Sequence, residues 1–445
     1  MVIVLMKKKS FRGGVHPEYA KDLTSEAPIK TLIPPTEVII PLQQHMGAPA
    51  DPIVKKGDYV RMGQLIGESN QVLGAKVHAS VSGEVMAVEL RPHLTGRSVR
   101  SVVIRNDGQD TPAFLERNCD PIQLSRAAIR NRVAEAGIVG SGGAAFPTVI
   151  KLSPPDDISI DYLIINGSEC EPYLTADDRM MVEYPEDVIL GAKLLAKACD
   201  AERIIIGVEE NKMQAFHSMH KHASSHGIDV VLLDAKYPQG GEKQLIKALI
   251  NREVPSNGLP FQAGVIVHNV GTALAVTQAC RDGMPFIRRV VTISGAGVND
   301  PSNYWVRLGT PFKEIIATAG GFVGEPGKVL AGGPMMGLAQ FDLDVPVIKG
   351  TSGITVFRRE DSKPLDPMPC IKCARCVDVC PAYLLPTRIE AYSMNAMWDE
   401  SVEYGAMDCI ECGCCTYICP SKRFLLQWIR LAKNEIISAK RRQTE

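Results

Sequence analysis

The stretch CIKCARCVDVCP, Cys370 to Pro381, recurs as CIECGCCTYICP from Cys409 to Pro420, 39 residues further on. In each copy three cysteines are spaced so that one tight loop presents three thiolates to three corners of a cubane. The last cysteine, three residues beyond and followed by proline, ligates the neighbouring cluster in this pattern. The spacing therefore predicts two [4Fe–4S] clusters with crossed ligands: Cys370, Cys373, Cys376 and Cys419 for one, and Cys409, Cys412, Cys415 and Cys380 for the other. Cys414 is left over and reads as a buried free thiol, because its use would break the spacing. Zinc also takes four thiolates from CxxC pairs, but it needs neither the third cysteine nor the terminal Cys-Pro. A chain with this pair of motifs moves single electrons.

The motifs fill only the last fifth of 445 residues, a length that suggests about three domains. With 49 basic and 50 acidic residues, no global field points to nucleic acid or to an acidic substrate. Thirteen cysteines, eight of them in the ligand sets, fit a reducing, cytosolic setting better than a disulfide scaffold. The opening MVIVLMKKKS places apolar residues before lysines, the reverse of a secretory signal, so no export is expected. Apolar runs are too short for a membrane span, and any membrane contact is expected to be peripheral.

The expected architecture is multidomain α/β, with boundaries at 1–118, 119–288, 289–362 and 363–445. From Ile29 to Asp107 short alternating runs such as EVIIPL and KVHASVSGEVMAVEL predict an all-β module. VKKGDYVRMGQ and VSGEV resemble the barrel-sandwich of biotinyl and lipoyl carriers, without the lysine those carriers modify, which leaves a scaffold or docking role. After Cys119 helical spacing over Leu124 to Gly137 gives way to short buried strands (DYLIIN, RIIIGVEE, IDVVLLD, GVIVHN) alternating with helices. This is an α/β domain with a largely parallel sheet, whose strand ends are the default place for a ligand. Arg289 to Gly350 reads as a small β-grasp-like domain with no titratable cluster that suggests chemistry.

One-electron centres need a donor, and the α/β domain contains the glycine loop GSGGAAFPT, Gly140 to Thr148. Its glycines let backbone amides approach a phosphate, and Pro147 suits the first turn of a following helix. The loop follows a helix, whereas the dinucleotide fingerprint follows a strand, so an ordinary Rossmann site is disfavoured. DYLIIN runs into GSECEPYLTADDR, placing Asn166, Glu169, Glu171 and Asp178 at a strand's carboxyl end. YPQGGEKQL (Tyr237 to Leu245) and VHNVGTA (Val267 to Ala273) again set polar groups beside glycines at element boundaries.

Together these four segments resemble the flavin- and NADH-binding subunit of respiratory complex I, whose loop has a related Gly-Gly-Ala-x-Phe-Pro-Thr core. With FRGGVHP (Phe11 to Pro17), PLQQHMGAPA (Pro41 to Ala50) and the C-terminal clusters, a ferredoxin-type domain with a closing helix, the chain resembles the RnfC component of Rnf electron-transport complexes over nearly its full length. The resemblance implies a non-covalent FMN with NAD(H) stacked on it. Gly140, Gly142 and Gly143 would approach FMN, and Asn166 would hydrogen-bond the flavin. Glu169 belongs to the same pocket, and Tyr237, Asn269 and Thr272 complete it. Phe146, Lys151, Glu171 and Glu242 would lie on the dinucleotide side. Ser168 and Gly241 stand where complex I has acidic residues, so pocket electrostatics must differ.

A flavin accepts a hydride and releases electrons singly, so no general acid or base is required. The resemblance further implies ferredoxin:NAD oxidoreduction coupled to Na+ or H+ translocation. Membrane subunits and a ferredoxin-like subunit would be partners, at the cytoplasmic side of a prokaryotic cell membrane. The segment Arg423 to Arg442, with Leu425, Leu426, Ile429 and Ala432 at helical spacing, either covers a core or docks to a membrane subunit or anionic lipid. Two other readings are a soluble flavin and iron–sulfur reductase of the cobalamin reductase type, and an electron-wire scaffold without nucleotide chemistry. Gly142, Gly143, Glu171 and Glu242 argue against the second.

Overall fold

The structure, a computed structural model, describes residues 8–155, 157–363 and 366–444. The opening run Met1–Lys7, on which the expectation about export largely rests, lies outside them.

Strands Tyr162–Gly167, Arg203–Glu209, Asp229–Leu233 and Val265–Asn269 are the short Val/Ile runs of the α/β segment. All pair in parallel, in the spatial order third, second, first, fourth. Buried on both faces, such strands read as continuous apolar runs instead of alternating ones. The chain steps outward from the first strand to the third and then returns to the far side of the first. That reversal opens a crevice at the carboxyl ends of the first and fourth strands. Asn166 and Asn269 stand at those ends as register partners.

The helix expected at 124–137 is Arg126–Glu135, capped by the Ser125 hydroxyl accepting from the Ala128 amide at 3.2 Å. Met213–Ala223, Glu242–Ile250 and Val270–Asp282 follow where the spacing placed helices. Ala176–Glu183 and Pro185–Cys199 were not anticipated. The first of them starts inside GSECEPYLTADDR, whose Asp177 and Asp178 favour a helix's first turn.

The N-terminal module is two small facing sheets. Strands Glu37–Pro41, Ser98–Asn106, Gly83–Pro92 and Tyr59–Val60 form one, and Asp51–Pro52, Leu65–Glu68 and Val77–His78 the other. Val38, Ile40, Ile66, Val77, Val85 and Ile104 fill the space between. In the third segment, strands Arg288–Ser294, Ser302–Arg307, Pro326–Ala331, Leu338–Gln340 and Gly353–Arg358 form a mixed sheet with helix Phe312–Thr318. Residues 8–31, expected within the N-terminal module, lie elsewhere. Lys9 bridges to Leu233 at the free edge of the parallel sheet, and strand Lys30–Thr31 pairs with Tyr304 and Trp305 of the third segment. Open strand edges recruit this segment because their amides and carbonyls need partners.

The C-terminal segment carries short helices around the cysteine loops, closed by helix Leu425–Thr444. Leu425, Leu426, Ile429, Ala432 and Ile436 are buried, each at most 6% exposed. The apolar stripe therefore covers the core of the cluster domain, which removes those side chains from a membrane-docking role. Among the described residues no helix is long and apolar enough to cross a membrane.

Candidate functional site

The two cysteine loops repeat each other in three dimensions. Lys372 and Glu411 both have φ of 57°, Ala374 and Gly413 have 60° and 79°, and Tyr383 and Lys422 have 56° and 53°. These matched left-handed residues wrap the backbone around the sulfurs. The amides of Lys372, Glu411 and Leu384 each donate to sulfur at 3.4 Å, on Cys370, Cys409 and Cys380. Such bonds favour the thiolate and tune a cluster's potential.

The electrostatics show which thiols lie near one another. Burial raises the Cys376 thiol above its ordinary range, and Cys419, Cys370 and Cys373 add to it. Burial pushes Cys409 up to about 11, with Cys412 and Cys380 contributing. Cys415 is raised by burial and then by Cys412, Cys409 and Cys380. Among the described residues no three His, Cys, Asp or Glu side chains are drawn together tightly enough for a single metal ion. Ligands to a cubane bind separate irons rather than one ion, and two loops of matched shape that carry four motif thiols each fit two [4Fe–4S] clusters.

The sets differ in exposure. Cys370 and Cys373 are exposed, whereas Cys380, Cys412 and Cys415 are buried. Ile371 is 66% exposed, while its counterpart Ile410 packs with Tyr237, Val15 and Met335. The set built on Cys409, Cys412, Cys415 and Cys380 thus faces the α/β domain. Cys414 is buried beside it, its Sγ donating to the Tyr237 carbonyl at 3.8 Å.

At the strand-end crevice the four sequence segments converge. The Gly140 amide donates to the Phe146 carbonyl at 2.8 Å, and the Ser141 amide to Thr272 Oγ1 at 3.0 Å, closing the glycine loop onto helix Val270–Asp282. A Cβ on Gly142 would lie 3.4 Å from Asn269 Cβ, while one on Gly143 would meet nothing within 4 Å, so this part of the loop is open. Asn166 Nδ2 donates to the Gly240 carbonyl at 2.9 Å. Asn269 accepts from the Gly271 amide at 2.8 Å, capping its helix, and donates to Asp177 Oδ2 at 2.6 Å. Lys151 Nζ donates to Glu242 Oε1 at 2.6 Å and to the Val267 carbonyl at 3.2 Å. The helix expected after Pro147 is only the single turn Thr148–Lys151, too short for an appreciable macrodipole. A phosphate there would have to be held by loop amides.

Buried polar atoms without a partner gather in the same segments: Ser141 Oγ, Ser168 Oγ, both amide atoms of Gln239, and His268 Nε2. Each such group costs about 1–3 kcal/mol when left unpaired, so their concentration marks a site completed by a polar ligand. Burial, then Glu169, pushes Asp177 up to about 7, and the same two causes push Asp178 up to about 6. Near neutrality this acidic turn carries less charge than its composition suggests, which suits an anionic flavin nucleotide. The open loop and unpaired hydroxyls and amides fit FMN.

Three expected site residues are engaged differently. Glu169 accepts from the amides of Asp177 and Asp178 at 2.8 and 3.0 Å and so caps helix Ala176–Glu183. Glu171 Oε1 accepts from the Met335 and Met336 amides at 2.7 and 2.9 Å, bracing a loop of the third segment. Tyr237 is 1% exposed and donates its hydroxyl to the Cys412 carbonyl at 2.8 Å, placing it at the junction with the cysteine loops. Phe146 is half-buried.

Other supports were missed from sequence. The Met46 amide donates to the Ala145 carbonyl at 3.2 Å, so PLQQHMGAPA backs the glycine loop. Arg289, buried, reaches the Ser141 carbonyl at 3.3 Å and also bonds the Lys349 carbonyl. Lys349 Nζ donates to the carbonyls of Lys76 and Gly137 at 2.6 and 2.7 Å, and burial pulls it down to about 7. The β-grasp-like segment therefore does bring titratable groups to the site. Their only sequence signal was a lone lysine ending the apolar run VPVIK.

Comparison with known proteins agrees with this geometry. A model of the RnfC barrel sandwich hybrid domain matches residues 9–109, and one of the Nuo51 FMN-binding domain matches 133–278. An SLBB domain matches 290–339, and a 4Fe-4S dicluster domain 363–420. The chain is 48% identical over 442 residues to the C component of the Na(+)-translocating ferredoxin:NAD(+) oxidoreductase complex of Acetobacterium woodii, covering 98% of this chain and 99% of that one. It is 44% identical over 437 residues to the C component of the proton-translocating ferredoxin:NAD(+) oxidoreductase complex of Clostridium ljungdahlii, covering 98% and 96%. A solved NAD+-reducing [NiFe]-hydrogenase in the H2-reduced state shares the fold at TM-score 0.51 and 20% identity, over 72% of this chain and 61% of that one. With such identity over nearly its whole length, the chain belongs to the RnfC family, the C components of ion-translocating ferredoxin:NAD+ oxidoreductase complexes.

Proposed function

We propose that this subunit exchanges electrons with NAD(H) at the strand-end crevice and relays them through two [4Fe–4S] clusters. It does so within ferredoxin:NAD oxidoreduction coupled to Na+ or H+ translocation. The observation that carries the reading is the join between crevice and thiols. Asn166 holds the Gly240 carbonyl at 2.9 Å, and three residues back in the same loop Tyr237 donates to the Cys412 carbonyl at 2.8 Å. Bound FMN would accept a hydride and release electrons one at a time.

The chain's own residues have positioning roles. Gly140, Gly142 and Gly143 let loop amides approach the flavin nucleotide, with Asn166, Asn269 and Thr272 at the crevice floor. Lys151, paired with Glu242, offers a cation to the dinucleotide, and Phe146 an apolar face. The ligand set that includes Cys412 lies on the flavin side, and the exposed set that includes Cys370 faces a partner. That partner is a membrane or ferredoxin-like subunit, with this subunit attached peripherally at the cytoplasmic face. Gly142→Val tests the crevice, because a branched side chain there presses on Asn269. The variant should retain iron but lose FMN and NADH-dependent dye reduction; full FMN occupancy would refute the assignment.

A further inference from the structure

FRGGVHP, near the start of the chain, carries none of the residues assigned above to flavin or iron, yet it bonds both the α/β domain and the cysteine loops. Its anchors to the α/β domain are firm. The Lys9 amide donates to the Leu232 carbonyl at 3.0 Å, Lys236 Nζ donates to the Phe11 carbonyl at 2.9 Å and sits 4.7 Å from the Phe11 ring centroid. Further on, buried Lys21 donates to the carbonyls of Glu169, Glu171 and Leu174 at 2.8, 3.0 and 2.5 Å. Between these anchors the segment turns to the cysteine loops.

The Gly14 amide donates to the Val379 carbonyl at 2.8 Å, immediately before Cys380. Val15 and Tyr237 exchange backbone hydrogen bonds at 2.8 and 2.9 Å, and the Tyr237 hydroxyl holds the Cys412 carbonyl. Cys380 and Cys412 come from different halves of the repeat but belong to one ligand set. A single wall therefore grips one cluster's ligand loops from two sides. The fit needs glycine at two positions. A Cβ on Gly13 (φ +88°) would lie 3.1 Å from the carbonyl oxygens of Val379 and Cys380, and one on Gly14 (φ +81°) 2.6 Å from that of Tyr237. All three are backbone oxygens, which cannot swing aside as a side chain can, and both φ values strain any other residue.

We propose that Phe11–Val15 is a positioning strap that fixes the cluster held by Cys409, Cys412, Cys415 and Cys380 against the flavin crevice, and so sets the rate of electron exchange between them. The proposal rests on the functional reading above. NADH gives up two electrons as it becomes NAD+, each cluster takes one, and the strap decides how closely the first acceptor is held.

The test uses the full chain loaded with FMN and iron. Gly13→Ala and Gly14→Ala are compared with Gly57→Ala, whose glycine has φ +91° but nothing within 4 Å of its Cβ, so it carries the backbone strain alone. Rapid mixing with NADH follows flavin and cluster absorbance separately, with iron content and amide exchange at Val15 and Tyr237 measured alongside. In the strap variants the flavin phase, the KM for NADH and the iron content should stay at wild type and exchange should quicken. The cluster phase should slow several-fold, because electron tunnelling falls off steeply with distance. Gly57→Ala should match wild type. A wild-type cluster phase in Gly14→Ala overturns the proposal, as does loss of iron, which would make the strap an assembly element. If both glycine variants fail to fold, Lys236→Ala loosens Phe11 without a clash, and an unchanged cluster phase there overturns it equally. Failure of NADH to bleach the wild-type flavin would instead sink the functional reading.

Discussion

Replacing Glu171 by glutamine isolates the brace between the α/β domain and the Met335–Met336 loop. Glutamine keeps a carbonyl oxygen for the two amides that Glu171 Oε1 now receives, but it does not titrate. Burial outweighs those two hydrogen bonds and the nearby Lys21 ammonium, moving the carboxyl from 4.5 to about 7. When the loop opens, the carboxyl meets water and returns to its ordinary value. Between pH 4.5 and 7 the open form is then ionised while the closed form holds its proton, so opening becomes easier as pH rises and levels off above 7. At roughly 1.4 kcal/mol per tenfold change in proton affinity, the whole window is worth about 3 kcal/mol. That is an upper bound, because the side chain is not wholly shut from water. Amide exchange at Met335 and Met336, corrected for the intrinsic pH dependence of exchange, reads this opening directly. Wild-type protection should fall by up to about 100-fold from pH 5 to pH 8, and the Glu171→Gln profile should stay flat. Parallel profiles would refute the reasoning.

Cys380→Ser should abolish the cluster built on Cys409, Cys412 and Cys415 while the EPR signal of the other persists; damage confined to the other would contradict crossed ligation. Asn269→Ala removes a helix cap worth about 1 kcal/mol as well as the bond to Asp177. It should lower both Tm and FMN content, whereas Asn269→Ser should recover Tm and leave FMN weak. Truncation after Lys433 strips the buried Ile436 from the closing helix. Iron retention and Tm should fall while association with membrane partners persists, and an iron-replete truncated chain that leaves the membrane would restore a docking role.

The cysteine repeat was readable because ligand spacing is local, and two loops of one shape are what that spacing predicts. The parallel strands were readable from their unbroken Val/Ile runs, and their order placed Asn166 beside Asn269. What escaped the sequence depends on partners far along the chain. Glu169 and Glu171 sit two residues apart in one acidic turn, yet one caps a helix and the other braces a distant loop. Tyr237 was placed in the flavin pocket by resemblance alone, and nothing in its local sequence announces that its hydroxyl reaches the Cys412 carbonyl. Residues 8–31 leave no periodic signal, since they are held mainly by edge pairing and isolated hydrogen bonds. Helix Pro185–Cys199 was legible in principle, from Pro185 in its first turn and an apolar face, but was masked by the acidic run before it.

The most direct test is anaerobic reconstitution of the chain with iron, sulfide and FMN, followed by NADH. Flavin absorbance should bleach first and cluster absorbance after it, with both clusters reduced at about one NADH per chain, since a hydride carries two electrons. Flavin that stays oxidised in iron-replete, FMN-bound protein would contradict the account.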